Sequence, residues 1–225
     1  WHLSEQAGSN MDSTVNHNDG TRVGNLLLPA GPIAGAQYFD GNSYINLGIL
    51  GYSSTLNVTN SLTVSAWLYH NTGIGWSFAY AAGDWANWSY DFGVTSNNLW
   101  GLEFQTTGGG GRQYNSPVPN IQQWHYVTFV YDYPHSMTYL YVDAVQQTNV
   151  AYVGTVRSSN RFTIGSKYDT GLKWNGYIDE VEISSYPRSS NWVWACWLNQ
   201  TSNSTFNTFG SVELAPNRGT ILKIK

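Results

Sequence analysis

The stretch 61–70, SLTVSAWLYH, decides the class of fold. Small and branched apolar side chains alternate in it with polar and aromatic ones, which gives two sets: Leu62, Val64, Ala66 and Leu68 on one side, and Thr63, Ser65, Trp67 and Tyr69 on the other. Successive side chains of an extended chain point to opposite faces, so this period of two predicts a β-strand with one face in a core.

Similar runs, separated by Gly, Asn, Asp and Pro, fill most of the chain: AQYFDGNSYINLG (36–48), YDFGVTSNNLWGLEFQT (90–106), WHYVTFVYD (124–132), MTYLYVDAVQQTN (137–149), RFTIGS (161–166) and GYIDEVEIS (176–184). Asp-Gly-Asn in the first run and Ser-Asn-Asn in the second predict hairpin turns. Only 188–198, RSSNWVWACWL, suits a helix. About a dozen short strands at this spacing predict an all-β sandwich or barrel.

The composition limits the classes of partner. Charged residues make up 11% of the 225 residues, and the net charge is −4 with only 10 Lys and Arg. A nucleic-acid ligand is therefore not expected, since it requires a basic surface. No apolar run approaches the roughly 18 residues of a membrane-spanning helix. Cys196 is the one cysteine, so no internal disulfide is expected, and its Trp neighbours predict a buried small hydrophobe.

The stretch 174–189, WNGYIDEVEISSYPRS, places three carboxylates within four positions. On a regular strand Asp179 and Val181 would face one way and Glu180 and Glu182 the other. Two carboxylates on one face suit an acid/base pair, a metal site or a solvated surface, and the alternation does not decide among them.

Several motifs occur in a familiar order: WHLSEQAGSNMDSTVNHNDGT (1–21), YFDGNSYINLG (38–48), SLTVSAWLYH, QQWHYVTFVYD (122–132), YLYVDAVQQ (139–147), FTIGSKYD (162–169) and WNGYIDEVEISSYPRSSNWV (174–193). This order resembles the laminin-G-like, concanavalin A-like domains of secreted bacterial and archaeal surface proteins. The resemblance covers 1–213 and leaves 214–225 as a C-terminal strand or tail. It implies a jelly-roll of two antiparallel sheets that binds carbohydrate or glycoprotein more often than it catalyses, and that often holds one structural calcium.

The segment 12–21, DSTVNHNDGT, resembles a calcium-loop motif of that family. Calcium takes oxygen ligands from carboxylates, amides, the backbone and water, which a loop rich in Asp and Asn supplies. The expected ligands are Asp12 and Asp179, with Asn16, Asp19 and Thr21 as weaker candidates. The alternative is that these Asp and Asn residues only form Asx-turns.

Catalysis is a lesser alternative. Family 16 glycoside hydrolases share the general fold and use Glu-x-Asp-x-Glu on one strand. This chain has the order Asp-Glu-Val-Glu, with Val181 on the opposite face and Ile, not an acid, at position 178 beside Glu180. The laminin-G-like pattern around 176–183 accounts for the carboxylates without hydrolysis. We therefore expect a protein that is not an enzyme.

Two aromatic-rich segments, 73–93 and 97–114, suggest a surface that binds sugar, because aromatic rings stack on sugar C–H faces while polar side chains reach the hydroxyls. The candidate contacts are Trp76, Asp84, Trp85, Asn87, Trp88, Tyr90, Trp100, Gln105, Arg112 and Tyr114. The alternative for any single Trp is that it packs beneath a loop.

Four Asn-X-Ser/Thr sequons, at Asn57, Asn87, Asn199 and Asn203, together with the low charge, favour an exported and glycosylated surface protein. The first hypothesis is a non-catalytic, extracellular carbohydrate-binding module stabilised by one calcium. The second is a structural or adhesion subunit of a cell-surface layer, pilus or filament, in which TILKIK (220–225) adds to a neighbour's sheet edge.

Overall fold

A computed structural model describes residues 1–25, 27–49, 54–71, 76–83, 88–95, 97–117, 122–167 and 172–206, with the backbone alone for 49, 112–117 and 203–206. Within these residues the chain forms thirteen strands and one helix. The expected C-terminal strand, 214–225, lies outside them. No helix in the described part of the chain is long and apolar enough to cross a membrane.

The strands form two antiparallel sheets, as the resemblance to laminin-G-like domains implies. The first sheet has seven strands in the order β1 (Thr21–Val23), β3 (Tyr44–Ile49), β12 (Arg161–Ile164), β5 (Ser77–Ala82), β6 (Tyr90–Val94), β7 (Leu99–Thr106) and β8 (Gly109–Pro117). The second has six strands in the order β11 (Val145–Ala151), β10 (Met137–Val142), β9 (Trp124–Asp132), β4 (Leu62–His70), β13 (Asn175–Ser184) and β2 (Gln37–Asp40). The jelly-roll prediction is confirmed.

The core lies between the sheets and consists of the side chains that alternate inward. Phe39, Phe92, Phe104 and Phe129 are fully buried there, and burial of each such ring stabilises the fold by roughly 1.5–3 kcal/mol.

At two turns the structure differs from the sequence prediction. Asp-Gly-Asn at 40–42 does not close a hairpin, because β2 and β3 belong to different sheets. The carboxylate of Asp40 accepts the N–H groups of Asn42 and Ser43 (2.8 Å each), which turns the chain from one layer to the other. The run 137–149 is two strands, not one, because Asp143 and Ala144 both take positive φ and form a tight hairpin turn.

The helix α1 (Ser190–Phe206) confirms and extends the expected helical segment. It lies on the outer face of the six-stranded sheet, where Val193 is fully buried against the side chains of Trp67 and Tyr126. The Trp67 indole N–H donates to Gln200 Oε1 (2.5 Å). Trp192 and Trp197 of the helix also pack on this face.

Candidate functional site

The loop 12–19 is organised around the Asp12 side chain, which is almost fully buried. Asp12 Oδ1 accepts the Thr14 N–H, and Oδ2 accepts the backbone and side-chain N–H groups of Asn18, all at 2.9 Å. The Asp12 N–H donates to Asp19 Oδ1 (2.8 Å). Burial acts to raise the pKa of Asp12, but the hydrogen bonds from Asn18 and Thr14 outweigh it and lower the pKa below its ordinary value. The loop is therefore a fixed turn around an ionised carboxylate.

Trp1 joins this loop to the late strand β13. Trp1 and Val181 exchange two backbone hydrogen bonds, at 2.8 and 3.0 Å, in the manner of paired strands. The Trp1 indole N–H donates to the carbonyl of Asn18 (2.9 Å). Residues far apart in sequence thus meet at one edge of the sandwich.

A bulge in β13 changes the arrangement expected for its three carboxylates. Asp179 pairs with Trp67 and Glu182 pairs with Ser65, so one extra residue is inserted between the two pairs. Glu180 takes a φ of 50° at this bulge. Asp179 and Glu182 therefore share the outer face of the sheet, and the regular alternation, which paired Glu180 with Glu182, does not hold.

Two of these carboxylates border a cavity and have defined partners. Glu180 Oε1 lies 2.6 Å from His2 Nδ1, and the Ser65 hydroxyl donates to Glu182 Oε2 (3.4 Å). Burial raises the pKa of Glu182, and the charge of Glu180 raises it further.

Arg188 and Trp192 also line the cavity. The Arg188 guanidinium carbon lies 4.8 Å from the centre of the Trp192 ring, which is a cation–π contact. The Arg188 backbone N–H donates to Thr63 Oγ1 (3.0 Å), while its Nε is buried and has no hydrogen-bond partner in the described part of the chain. The guanidinium is thus held by stacking on Trp192, with its Nε enclosed by the protein.

These groups enclose a cavity of about 590 Å³ between the loop and β13. The functional side chains of its lining are Trp1, Asp12, Glu180, Glu182, Arg188 and Trp192. Two indoles, three carboxylates and one guanidinium converge there, which is the usual composition of a small-ligand site: apolar walls with a few polar groups that fix orientation.

The buried carboxylate of Asp179 is not part of the cavity lining. Its Oδ2 accepts the N–H of Ile33 (3.0 Å), and its Oδ1 is buried without a hydrogen-bond partner among the described residues. Burial raises the pKa of Asp179 to about 7. A buried oxygen without a partner is unfavourable unless a proton or a cation satisfies it.

The five expected calcium ligands are placed as follows. Asp12 and Asn16 line the cavity, Asp19 accepts the N–H of Asp12, Thr21 begins β1, and Asp179 contacts Ile33. No group of three or more His, Cys, Asp or Glu positioned for a metal occurs within the described residues. A calcium ion here would need amide and backbone oxygens as well. The oxygen with no partner makes Asp179 the better fit, because both oxygens of Asp12 already accept N–H donors.

The expected sugar-binding aromatics fall into different environments. Tyr90 and Trp100 are core residues with 1% and 0% exposure, so they cannot touch a ligand at the surface; this corrects the prediction for both. Trp76 stacks on Phe78 at 5.5 Å and is partly exposed. Trp88 and Gln105 are also partly exposed. The Gln105 side-chain oxygen accepts a hydrogen bond from Arg157 (3.3 Å).

The remaining expected contacts and some of the sequons lie outside what the structure describes. They are Asp84, Trp85 and Asn87 as whole residues, and the side chains of Arg112, Tyr114 and Asn203. Of the other sequons, Asn199 is exposed on α1, and the Asn57 amide oxygen accepts the N–H of Ser159 (3.0 Å).

The sequence analysis did not identify the cavity residues Trp1, Glu182, Arg188 and Trp192 as one site. The carboxylate-rich stretch 174–189 was the available signal. The grouping itself depends on the contact between Trp1 and Val181, which no local pattern encodes.

Comparisons with known proteins agree with this architecture. The family model Laminin_G_3, of the concanavalin A-like lectin/glucanases superfamily, matches residues 13–194. A comparison with the sequences of curated proteins finds no match.

Several solved structures share the fold. Domain 4 of AbnA, a GH43 extracellular arabinanase from Geobacillus stearothermophilus, in complex with arabinotriose, superimposes with a TM-score of 0.64 at 19% identity, over 84% of this chain and 98% of that one. The CBM40 of the Ruminococcus gnavus IT-sialidase, bound to α2,3 sialyllactose, gives 0.62 at 10% identity, over 72% and 95%. The binding domain of botulinum neurotoxin serotype G gives 0.63 at 11% identity, over 85% and 49%.

Proposed function

This chain belongs to the Laminin_G_3 family of the concanavalin A-like lectin/glucanases superfamily, and from that premise we propose that it is a non-catalytic, extracellular module that binds carbohydrate. Two of the structural neighbours are described as complexes with arabinotriose and sialyllactose, which supports a saccharide as the class of ligand. The extracellular location is supported by the sequons and by the extracellular enzyme among the neighbours.

The cavity between the loop and β13 is the observation that carries the proposal. A sugar ring has an apolar C–H face and a rim of hydroxyl groups. The indoles of Trp1 and Trp192 offer surfaces for stacking. The Glu180 and Glu182 carboxylates accept hydrogen bonds from hydroxyl groups, and the Arg188 guanidinium donates to a ring or hydroxyl oxygen. The volume suits a short saccharide, since ligand pockets commonly enclose about 300–1,000 Å³.

The test is saccharide binding by the whole chain, first screened on a glycan array and then measured by calorimetry. Trp192→Ala removes one stacking surface, and we expect the affinity to fall by roughly tenfold, equivalent to about 1.4 kcal/mol. Trp194→Ala is the matched control, because Trp194 lies on the same helix, is 49% exposed and is not part of the cavity lining. If both variants bind the saccharide as tightly as the unsubstituted protein does, the cavity is not the binding site. If Trp88→Ala loses binding instead, the site lies on the seven-stranded sheet.

We propose that one structural calcium is held at Asp179, whose buried oxygen would gain a partner. The ion would supply positive charge to a carboxylate that burial otherwise keeps protonated. Calcium at one hundred times its Kd should stabilise the fold by about 2.7 kcal/mol. Asp179→Asn should abolish this increment, and Asp12→Asn should leave most of it, as measured by thermal unfolding with calcium and with chelator. No calcium-dependent shift in the unsubstituted protein would contradict the proposal.

Glycoside hydrolysis is a second candidate, because Glu180 and Glu182 border the same cavity and paired carboxylates are the catalytic groups of many glycosidases. The His2 contact occupies one oxygen of Glu180, which favours a binding role. Release of reducing sugar from a bound oligosaccharide, lost in Glu182→Gln, would establish hydrolysis and overturn the non-catalytic proposal.

A further inference from the structure

Three charged side chains meet on the face of the seven-stranded sheet that is directed away from the core, and they have no role in the cavity. Asp91 on β6 and Glu103 on β7 are paired residues of neighbouring strands. Lys167 follows β12 and reaches both of them. The side chains are almost fully buried, with exposures of 0% for Asp91, 4% for Glu103 and 4% for Lys167. We call these three residues the buried triad.

The contacts within the buried triad bring an amine against a carboxyl group. Lys167 Nζ lies 2.7 Å from Asp91 Oδ2, yet neither Asp91 oxygen accepts a hydrogen bond of good geometry from the described residues. Lys167 Nζ does donate a hydrogen bond to Glu103 Oε2. The amine is thus hydrogen-bonded to Glu103 and forms a close ion pair with Asp91.

Aromatic rings cover the amine. Lys167 Nζ lies 5.0 Å from the centre of the Phe78 ring and 5.4 Å from that of Trp88. Such walls exclude water and lower the local dielectric, which penalises an isolated charge. For Lys167 the neighbouring Asp91 and Glu103 outweigh this effect and raise its pKa, so a base must remove its proton before the amine can react.

The charges of the buried triad do not balance. Two carboxylates and one ammonium leave a net charge of −1 when all three are ionised. Burial raises the pKa of Asp91 to about 7, although Lys167 acts in the other direction. Asp91 is therefore the member that takes up a proton, and a neutral carboxylic acid accepts attack by an amine, whereas a carboxylate resists it.

We propose that Lys167 and Asp91 condense into an intramolecular amide bond, with Glu103 as the catalytic residue. Glu103 takes a proton from the Lys167 ammonium, and the nitrogen lone pair then attacks Asp91 Cγ and forms the C–N bond. Glu103 gives its proton to the Asp91 hydroxyl, the C–O bond breaks and one water leaves. Glu103 then takes a proton from the attacking nitrogen and ends protonated. No oxidant, reductant or activated group is required. Proximity in a closed site replaces activation of the acid, and two buried ionisable groups are replaced by a neutral amide.

The bond would tie together two parts of one sheet that are distant in sequence. Residues 91 and 167 are separated by 76 positions (167 − 91), and β5 lies between β6 and β12 in the sheet. A covalent link across so long a loop restricts the unfolded chain, as a disulfide does. The chain has one cysteine and cannot form an internal disulfide.

The experiment is mass spectrometry of the full chain, produced in a bacterial host that does not N-glycosylate, denatured before the measurement. We expect the intact mass to fall below the sequence mass by one water. Digestion should yield a branched peptide that joins residues 91 and 167. Glu103→Gln keeps the size and the hydrogen bond but not the base, so it should give the full mass and linear peptides only. Circular dichroism would verify that this variant is folded.

Asp91→Asn provides an independent check. The side-chain amide leaves as ammonia, so the branched peptide should form with the same composition as in the unsubstituted protein while the intact chain loses ammonia instead of water. Glu180→Gln, a carboxylate of the cavity, is the matched control and should keep the water loss. Full mass and linear peptides in the unsubstituted protein would overturn the proposal. A branched peptide that still forms in Glu103→Gln would overturn the role of Glu103.

Discussion

The cavity and the buried triad each combine carboxylates with one cation, but in opposite surroundings. The cavity holds Asp12, Glu180, Glu182 and Arg188, and the buried triad holds Asp91, Glu103 and Lys167. In the cavity the groups border open space, and the cation rests on an indole. In the buried triad all three side chains are almost fully buried, and aromatic rings cover the Lys167 amine. Similar charges thus form a binding surface in one place and a reactive cluster in the other, because the dielectric around them differs.

The largest expected effect comes from removing the buried cation. Lys167→Met leaves Asp91 and Glu103 buried without a counter-charge and also prevents the proposed amide bond. Loss of one partner from a buried ion pair alone destabilises by about 3–5 kcal/mol, so we expect a loss of at least that size. The measurement is the free energy of unfolding in urea. Lys173→Met is the matched control, since Lys173 is partly exposed over the Tyr44 ring and should cost less than about 1 kcal/mol. Equal losses of unfolding free energy in the two variants would show that burial of Lys167 does not make its charge more important to stability than that of Lys173.

A second test uses buried and open histidines. His70 is buried against the Trp174 ring at 4.7 Å, and burial lowers its pKa from 6.5 to about 4. The folded state therefore favours the neutral form, so this stabilisation is complete above pH 6.5 and is lost as the pH falls through 6.5 toward 4. The loss amounts to about 3 kcal/mol at pH 4.

The check is the difference in unfolding free energy between pH 7 and pH 4 for the unsubstituted protein and for His70→Gln. Between pH 7 and pH 4 the variant should lose about 3 kcal/mol less unfolding free energy than the unsubstituted protein. His135→Gln is the control, because the His135 side chain is 74% exposed and should not reproduce the change. An acid response unchanged in His70→Gln would show that His70 titrates normally.

The smallest expected effect lies in the cavity. Arg188→Gln removes a partly exposed cation whose main contact is the Trp192 ring, and we expect a loss of at most about 1 kcal/mol in unfolding free energy. Saccharide affinity should fall in the same variant. A loss of several kcal/mol would mean that Arg188 is a structural group like Lys167.

Local patterns predicted the strands well and their partners poorly. The run 124–132 is β9 to the residue, and 61–70 differs from β4 by one position. The Asp-Gly-Asn turn was predicted to close a hairpin, but in the structure it connects strands of different sheets. The same turn residues serve both kinds of connection, so the local sequence does not distinguish them. Tyr90 and Trp100 were expected at the surface, but alternation identifies two faces without saying which one is the core.

The candidate sites were less predictable than the fold. One inserted residue at Glu180, with φ of 50°, rearranged the three carboxylates of β13, and no residue in the stretch signals that bulge. Lys167 and Asp91 likewise carry no sign of each other in the sequence.

The sequence by itself determined that this chain carries few charges and forms short strands with one apolar face, which indicates a β-sandwich or barrel, because period-two alternation and turn residues act between near neighbours. The tertiary structure alone decided which charges share an environment. Trp1 meets Val181, and Lys167 meets Asp91, only when the two sheets have packed, since contacts between distant residues follow from the register and burial of whole strands.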